Sequence, residues 1–124
     1  MSLFKRLFTV SNSASDAVRG IAPQEAAKRV ADGSAVLIDV REPSEWVSGV
    51  AVPANLLPLS DLMGKRQMWA PFLARHGNCE LILYCLSGGR SGSAARTLAG
   101  EGHRVSNLGG FSAWRGARLP VRIP

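Results

Sequence analysis

The segment from Leu81 to Ala99 constrains this chain more than any other. Leu81-Ile82-Leu83-Tyr84 is a short apolar run of strand-forming residues, and it delivers Cys85 to its C-terminal end. Gly88 and Gly89 follow where the backbone has to bend. Ala94, Ala95, Leu98 and Ala99 then recur at the spacing of a helix buried on one side. Strand, tight loop and helix in so short a span make a βα unit. The parallel strands that such units build need a sheet covered on both faces.

The rest of the chain repeats the alternation. Pro23 suits the first turn of a helix over about 23–30, stopped by Asp32-Gly33, and residues 35–40 form a buried strand by their branched, apolar content. Residues 43–48 are expected to make a short helical turn, and Leu56-Leu57 a brief strand before Pro58. Ser60 can cap a helix that starts at Asp61 and reaches Arg75, with breaks at Gly64 and Pro71. After the central strand come a helix over 91–100, a strand over 104–108 and a last short helix over 111–115. The predicted fold class is α/β, a three-layer domain whose mostly parallel sheet has helices on both faces. Ligands of such sheets bind at the carboxyl ends of the strands, where Cys85 lies and where Asp39 and Arg41 emerge from the first buried strand.

That location gives Cys85 its chemical interest. A tight loop leading into a helix N-terminus points backbone N–H groups and the positive end of a helix dipole at the sulfur. Such a setting lowers a thiol pKa toward neutrality and makes a nucleophile of it. Arg90 adds a permanent cation across the loop. A lone cysteine is by default a small core residue. The strand-end position, the paired glycines and the arginine together point instead to an anion nest with a nucleophile at its floor.

Three ordered segments resemble the rhodanese family of sulfurtransferases. Cys85-Leu86-Ser87-Gly88-Gly89-Arg90-Ser91 looks like its Cys-x-x-Gly-x-Arg-Ser active-site loop. Leu37-Ile38-Asp39-Val40-Arg41-Glu42, with Glu45-Trp46 and Gly49 downstream, resembles its Asp-x-Arg segment. Leu108-Gly109-Gly110-Phe111-Ser112-Ala113-Trp114, with Leu119-Pro120-Val121 behind, resembles its closing segment, so the likeness spans residues 21–120. It implies a rhodanese-like fold and a sulfurtransferase that carries sulfur as a Cys85 persulfide, without cofactor or metal. The implied catalytic residues are Cys85 and Arg90, with Leu86, Ser87, Gly88, Gly89 and Ser91 binding substrate. Asp39 and Arg41 either shape the loop and face the substrate or form a structural ion pair.

The chain departs from the family at two places. Leu86 stands where many members have a basic residue after the cysteine, and Gly49-Val50-Ala51-Val52-Pro53-Ala54 replaces Gly-His-Ile-Pro-Gly-Ala. The first departure weakens the case for the dianion thiosulfate as the preferred donor over a small persulfide. The expected acceptor is a thiol or cyanide. Two rival readings are a non-catalytic rhodanese-like binding module and a phosphatase or arsenate reductase of the same fold. Modules of the first kind commonly lack the cysteine. Phosphatases of this fold place five residues between cysteine and arginine, and Cys85 and Arg90 have four between them.

Composition narrows the partners. At 124 residues the chain is one domain, expected over 20–124 behind an arm and linker at 1–19, and its net charge is +6. The basic residues never run beyond pairs such as Lys28-Arg29 and lack interleaved aromatics, so nucleic acid is disfavoured. Attraction of a small anionic sulfur donor, or a solvated basic surface, fits better. Cys79 and Cys85 flank the predicted strand, roughly 20 Å apart at about 3.3 Å per residue, so two free thiols in a reducing cytoplasm are expected. His76 and His103 read as surface residues, and Trp46 and Trp114 as core. Leu3, Phe4, Leu7 and Phe8 share a helical face ahead of the linker Ser11-Asn12-Ser13-Ala14-Ser15. Lys5 and Arg6 interrupt it, unlike the apolar core of a secretory signal. A short arm that packs on its own domain or frays is the simpler reading, with a transit-like helix or contact between residues 1–10 and a membrane surface as the alternative. A monomer or weak homodimer is expected.

Overall fold

The computed structural model describes residues 18–124; the apolar arm around Leu3 to Phe8 and the serine-rich link lie outside the described residues. The chain runs β1 (Arg19–Gly20), α1 (Pro23–Ala31), β2 (Ala35–Asp39), α2 (Pro43–Trp46), β3 (Val50–Ala51) and β4 (Ala54–Leu56). It continues through α3 (Leu59–Leu62), α4 (Trp69–His76), β5 (Glu80–Cys85), α5 (Gly89–Gly100), β6 (Val105–Gly110), α6 (Phe111–Gly116) and β7 (Val121–Arg122). Five strands form one sheet in the order β1-β6-β5-β2-β4, every pair parallel. The sheet begins at Arg19, which pairs with Ser106, one residue ahead of the boundary expected at residue 20. The strands β3 and β7 form a separate antiparallel pair, which the sequence did not announce.

The pleat sorts the core into two layers, because successive strand residues point to opposite faces. From β5, Leu81, Leu83 and Cys85 pack under α3, α4 and α5 against Leu62, Trp69, Phe72, Ala94, Ala95 and Leu98. Ile82 and Tyr84 face the other way, toward Ala26 of α1 and Phe111 and Trp114 of α6. Cys85 is therefore packed on one side by the helix its own loop begins. Of the two tryptophans expected in the core, Trp114 is buried, whereas Trp46 is half-buried with its indole N–H enclosed and unpartnered. No helix among the described residues is long and apolar enough to cross a membrane.

The single helix expected from Asp61 to Arg75 is instead two. The segment between α3 and α4 is not helical, and Pro71 lies in the first turn of α4, where its missing N–H costs nothing. Asp61 causes the break to hold its shape: its carboxylate accepts the N–H groups of Gln67, Met68 and Trp69 at 2.9, 2.9 and 3.0 Å. Ser60 does not cap α3, which starts from Pro58 without a side-chain bond; its hydroxyl donates to Glu42 at 2.7 Å. Trp69 locks the break from inside by donating its indole N–H to the Pro58 carbonyl at 3.0 Å.

Asp61→Ala is expected to lower unfolding free energy by about 1–3 kcal/mol, since it orphans helix-start donors that nothing else supplies. Asp61→Asn, which keeps one acceptor oxygen, should lose less. Urea unfolding of the three proteins measures this ordering, and equal stability of wild type and Asp61→Ala would refute it.

Candidate active site

The strand β5 ends on Cys85, residues 86–88 turn, and α5 begins at Gly89. The turn needs glycine twice. Gly88 sits at φ +103°, in the left-handed region that side chains rarely enter. Gly110, at the end of β6, passes so close beneath the loop that a Cβ there would lie 2.5 Å from the Leu86 carbonyl oxygen. The closing Gly109-Gly110 pair is thus a seat for the cysteine loop.

Within that loop the sulfur is solvated by the protein. Cys85 Sγ accepts the Gly88 N–H at 3.0 Å, the Ser91 N–H at 3.3 Å and the Ser91 hydroxyl at 3.4 Å. The residue is 1% exposed, and burial alone would push its thiol pKa up. The Ser91 hydroxyl and the N–H groups of Ser91, Gly88 and Ser87 outweigh burial, and the net shift is downward from 9.0. The site thus eases ionisation of the thiol. At its rim Leu86, Ser87 and Gly89 are exposed.

Arg90 does not stand free above the sulfur. Its guanidinium forms a bidentate pair with Glu45, Nη1–Oε1 at 2.6 Å and Nη2–Oε2 at 2.8 Å. The guanidinium of Arg90 holds the Glu45 carboxyl well down, to about 2, against the opposing effect of partial burial. Glu45 also closes a reciprocal capping box with Glu42 at the start of α2, so the pair ties α2 to α5.

Asp39 and Arg41 form a buried ion pair with Nη2–Oδ2 at 2.8 Å. Arg41 further donates to the carbonyls of Glu45 at 3.4 Å and Gly49 at 2.8 Å, and its guanidinium lies 4.5 Å from the Phe111 ring centroid. Burial works against its charge, but the hydrogen bonds and charge of Asp39 prevail and raise its pKa. The pair therefore reaches the cysteine loop indirectly: it fixes the α2 segment, and Glu45 on α2 fixes Arg90. Tyr84, next to Cys85 but on the opposite face, accepts the Ala51 N–H with its hydroxyl at 3.0 Å.

The sequence reading gave no site role to two residues that lie at the site, Glu45, quoted only within the Asp-x-Arg segment, and Asn107. Glu45 was legible as the third helical residue of a Glu-x-x-Glu start. Asn107 was legible as a polar residue interrupting a strand just ahead of Gly-Gly. Cys79 is half-buried and Cys85 buried, and both are free thiols. Among the described residues no cluster of His, Cys, Asp or Glu could hold a metal ion. Two hollows lie away from the loop. One of about 300 Å³ is lined by Arg19, Arg29, Glu80 and Arg104, and an apolar groove of about 240 Å³ runs between α1 and Trp114.

A parallel three-layer domain with a cysteine loop at the strand ends defines a class of protein, and comparison gives the family. Residues 22–117 match the model of the rhodanese-like domain, and the chain belongs to that family. It is 34% identical over 110 residues to a protein of Allochromatium vinosum named sulfurtransferase, covering 86% of this chain and 97% of that one. It is 35% identical over 103 residues to an uncharacterized protein of Synechocystis, covering 82% of this chain and 54% of that protein. The chain thus spans little more than half the length of the latter relative. A rhodanese-related protein from Thermoplasma volcanium superposes with a TM-score of 0.71 at 23% identity, over 86% of this chain and 99% of that one. At that identity the likeness concerns the fold alone.

The Glu45 carboxyl, depressed to about 2 in the folded protein from 4.5, contributes stability that is complete above the higher value and is lost as pH falls toward the lower. Glu45→Gln should therefore be less stable than wild type by about 1 kcal/mol near neutrality, the scale of a solvent-screened ion pair. The gap should close between pH 4.5 and about 2. Urea titrations across that range test it, and a pH-independent gap would exclude the ion pair as its source.

Proposed function

We propose that this domain transfers a sulfane sulfur from thiosulfate or a small persulfide to a thiol or cyanide, carrying it as a persulfide on Cys85. The observation that carries this reading is the set of three hydrogen bonds aimed at one buried sulfur. Donors so placed stabilise a thiolate before reaction and a persulfide anion after it. The Cys85 thiolate attacks the outer sulfur of the donor; a new S–S bond forms, the donor's own S–S bond breaks, and sulfite or a thiolate leaves with the electron pair. Cyanide or an acceptor thiolate then attacks the terminal sulfur. Thiocyanate or an acceptor persulfide departs, and the Cys85 thiolate is restored. The N–H groups of residues 86–90 cradle the charge, and the Ser91 hydroxyl supports it.

The loop size supports sulfur over phosphorus, because four residues between Cys85 and Arg90 leave a smaller nest than a phosphoryl group needs. The charge balance supports a further choice of donor. Arg90 is neutralised by Glu45, and the residue beside the cysteine is Leu86, 56% exposed. The site therefore offers dipoles and an apolar rim rather than a free cation. A persulfide whose reacting sulfur bears a single negative charge, on an organic body, suits it better than thiosulfate.

Incubation with a sulfur donor should add one sulfur atom to the intact mass of wild type and of Cys79→Ser, removable by cyanide, and nothing to Cys85→Ser. A gain that survives in Cys85→Ser would overturn the assignment. In parallel assays, kcat/KM for glutathione persulfide should exceed that for thiosulfate by about tenfold or more, roughly 1.4 kcal/mol of transition-state binding. Thiosulfate dominance would refute the donor preference, and turnover of an aryl phosphate in its place would refute sulfur transfer.

A further inference from the structure

The C-terminal end of β6 reads Ser106-Asn107-Leu108-Gly109-Gly110, and its register against β5 slips. Leu83 faces Asn107 while Tyr84 faces Gly109, so Leu108 is an extra residue and β6 bulges beside the cysteine loop. Asn107 holds both sides of this seam. Its Oδ1 accepts the Gly109 N–H at 3.0 Å, within the bulge, and its Nδ2 donates to the Gly88 carbonyl at 3.3 Å, within the loop. Those two bonds fix which end of the amide is oxygen. The same Oδ1 lies 2.8 Å from the Ser91 hydroxyl. We propose that Asn107 is the positioning residue of the sulfur site, which through Ser91 and Gly88 sets the hydrogen bonding available to Cys85 Sγ.

The bookkeeping of one proton makes the case. The Ser91 hydroxyl has a single hydrogen and four acceptors in reach: Asn107 Oδ1 at 2.8 Å, the Gly88 carbonyl at 3.2 Å, and Cys85 Sγ and the Gly109 carbonyl at 3.4 Å. With Cys85 a thiol, the nearest acceptor takes the hydrogen, and the hydroxyl oxygen can receive the S–H. With Cys85 a thiolate, the sulfur is the stronger acceptor and the hydroxyl turns to it. That turn orphans nothing, because Oδ1 keeps the Gly109 N–H, and the Gly88 carbonyl keeps both Asn107 Nδ2 and the Gly92 N–H at 2.9 Å. Asn107 thus parks the hydroxyl beside the sulfur without binding it irrevocably. The charged groups around the loop include Arg90 on α5, Arg96 of the same helix, which shares the space over Gly92 with the Asn107 amide, Glu45 and Glu42 on the α2 segment, and Asp39 with Arg41 at the end of β2. None of them hydrogen-bonds Sγ, Ser91 or Asn107 among the described residues.

This inference rests on Cys85 as the reactive thiol, but its test does not depend on sulfur transfer. In a Cys79→Ser background, which leaves Cys85 as the one thiol of the chain, the rate of alkylation by iodoacetamide is followed across pH; its midpoint reports ionisation of Cys85. Asn107→Leu, similar in shape and without polar atoms, should move the midpoint upward by about one unit. Alkylation on the acid side is then about tenfold slower, with the alkaline plateau within about twofold of the parent. Ser91→Ala should also move it upward, and the double variant should move it by less than the sum of the two, because both act on one hydroxyl. A purely structural Asn107 would lower the melting temperature and leave the midpoint in place. An unmoved or lowered midpoint in folded Asn107→Leu overturns the proposal, as does additivity with Ser91→Ala. Should Asn107→Leu fail to fold, Asn107→Ala, neutral and also without either amide group, is read on the same criterion: an upward midpoint supports the role and an unmoved one ends it.

Discussion

A buried sulfur ringed by hydrogen-bond donors is the constraint around which this domain is arranged. Burial disfavours the charged form of Cys85, and hydrogen bonds from Ser91, Gly88 and Ser87 more than repay it. Water could solvate the same charge only by entering a site that is 1% exposed. The solvation must therefore come from fixed dipoles, and fixed dipoles demand a particular backbone. That demand explains the left-handed Gly88, the missing side chain at Gly110 and the helix that begins at once in Gly89. Each is a local cost that the anion site recovers when the sulfur ionises.

A second chain of contacts keeps that backbone in place from outside. Asp39, fully buried at the end of β2, pairs with Arg41, which is 2% exposed. Removing one partner would strand a charge in the core, so the two are mutually obligatory. Arg41 spends its remaining donors on the carbonyls of Glu45 and Gly49, and Glu45 grips Arg90 on α5. The motif Asp-x-Arg and the motif around Cys85 are far apart in the chain, yet they bear on one loop. Their link is a sequence of hydrogen bonds through α2 and not a shared contact with the sulfur.

Much of this was legible in the residues and part was not, for physical reasons. The βα units were readable because apolar runs such as Leu81 to Tyr84 and the small-residue face of Ala94, Ala95 and Leu98 have unambiguous periods. The cysteine loop was readable because its glycines and strand-end position act locally. The pair of two-residue strands β3 and β7 was not, since their register is set by a partner some seventy residues away, Val50 opposite Arg122. The break between α3 and α4 escaped because Asp61 satisfies N–H groups six to eight residues downstream, outside the reach of capping rules. In the site, Arg90 was expected as a permanent cation across the loop, and its pairing was not. Its partner Glu45 lies 45 positions earlier, and no local pattern pairs them.

That pairing changes how the charge of the molecule bears on its chemistry. The chain has a net charge of +6, which raises the local concentration of anions around the whole surface. Yet arginines without a salt-bridge partner among the described residues lie at the other end of the sheet: Arg19 and Arg104 line the hollow where β5 and β6 begin, beside an Arg29 paired with Glu25 and Glu80, while Cys85 closes β5. At the sulfur itself Arg90 is neutralised and Leu86 is apolar. Long-range attraction and local recognition are thus separated in space. The overall field can draw an anion to the protein without choosing among anions, since such fields are screened beyond roughly 8–10 Å at physiological salt. Discrimination falls to the N–H and O–H dipoles of the loop. Dipoles solvate a single charge on a small terminal sulfur well, and they neutralise a second charge poorly for want of a counter-ion. Under the proposed sulfur transfer, the same arrangement that lowers the Cys85 pKa therefore also sets which sulfur anion the site can meet on favourable terms.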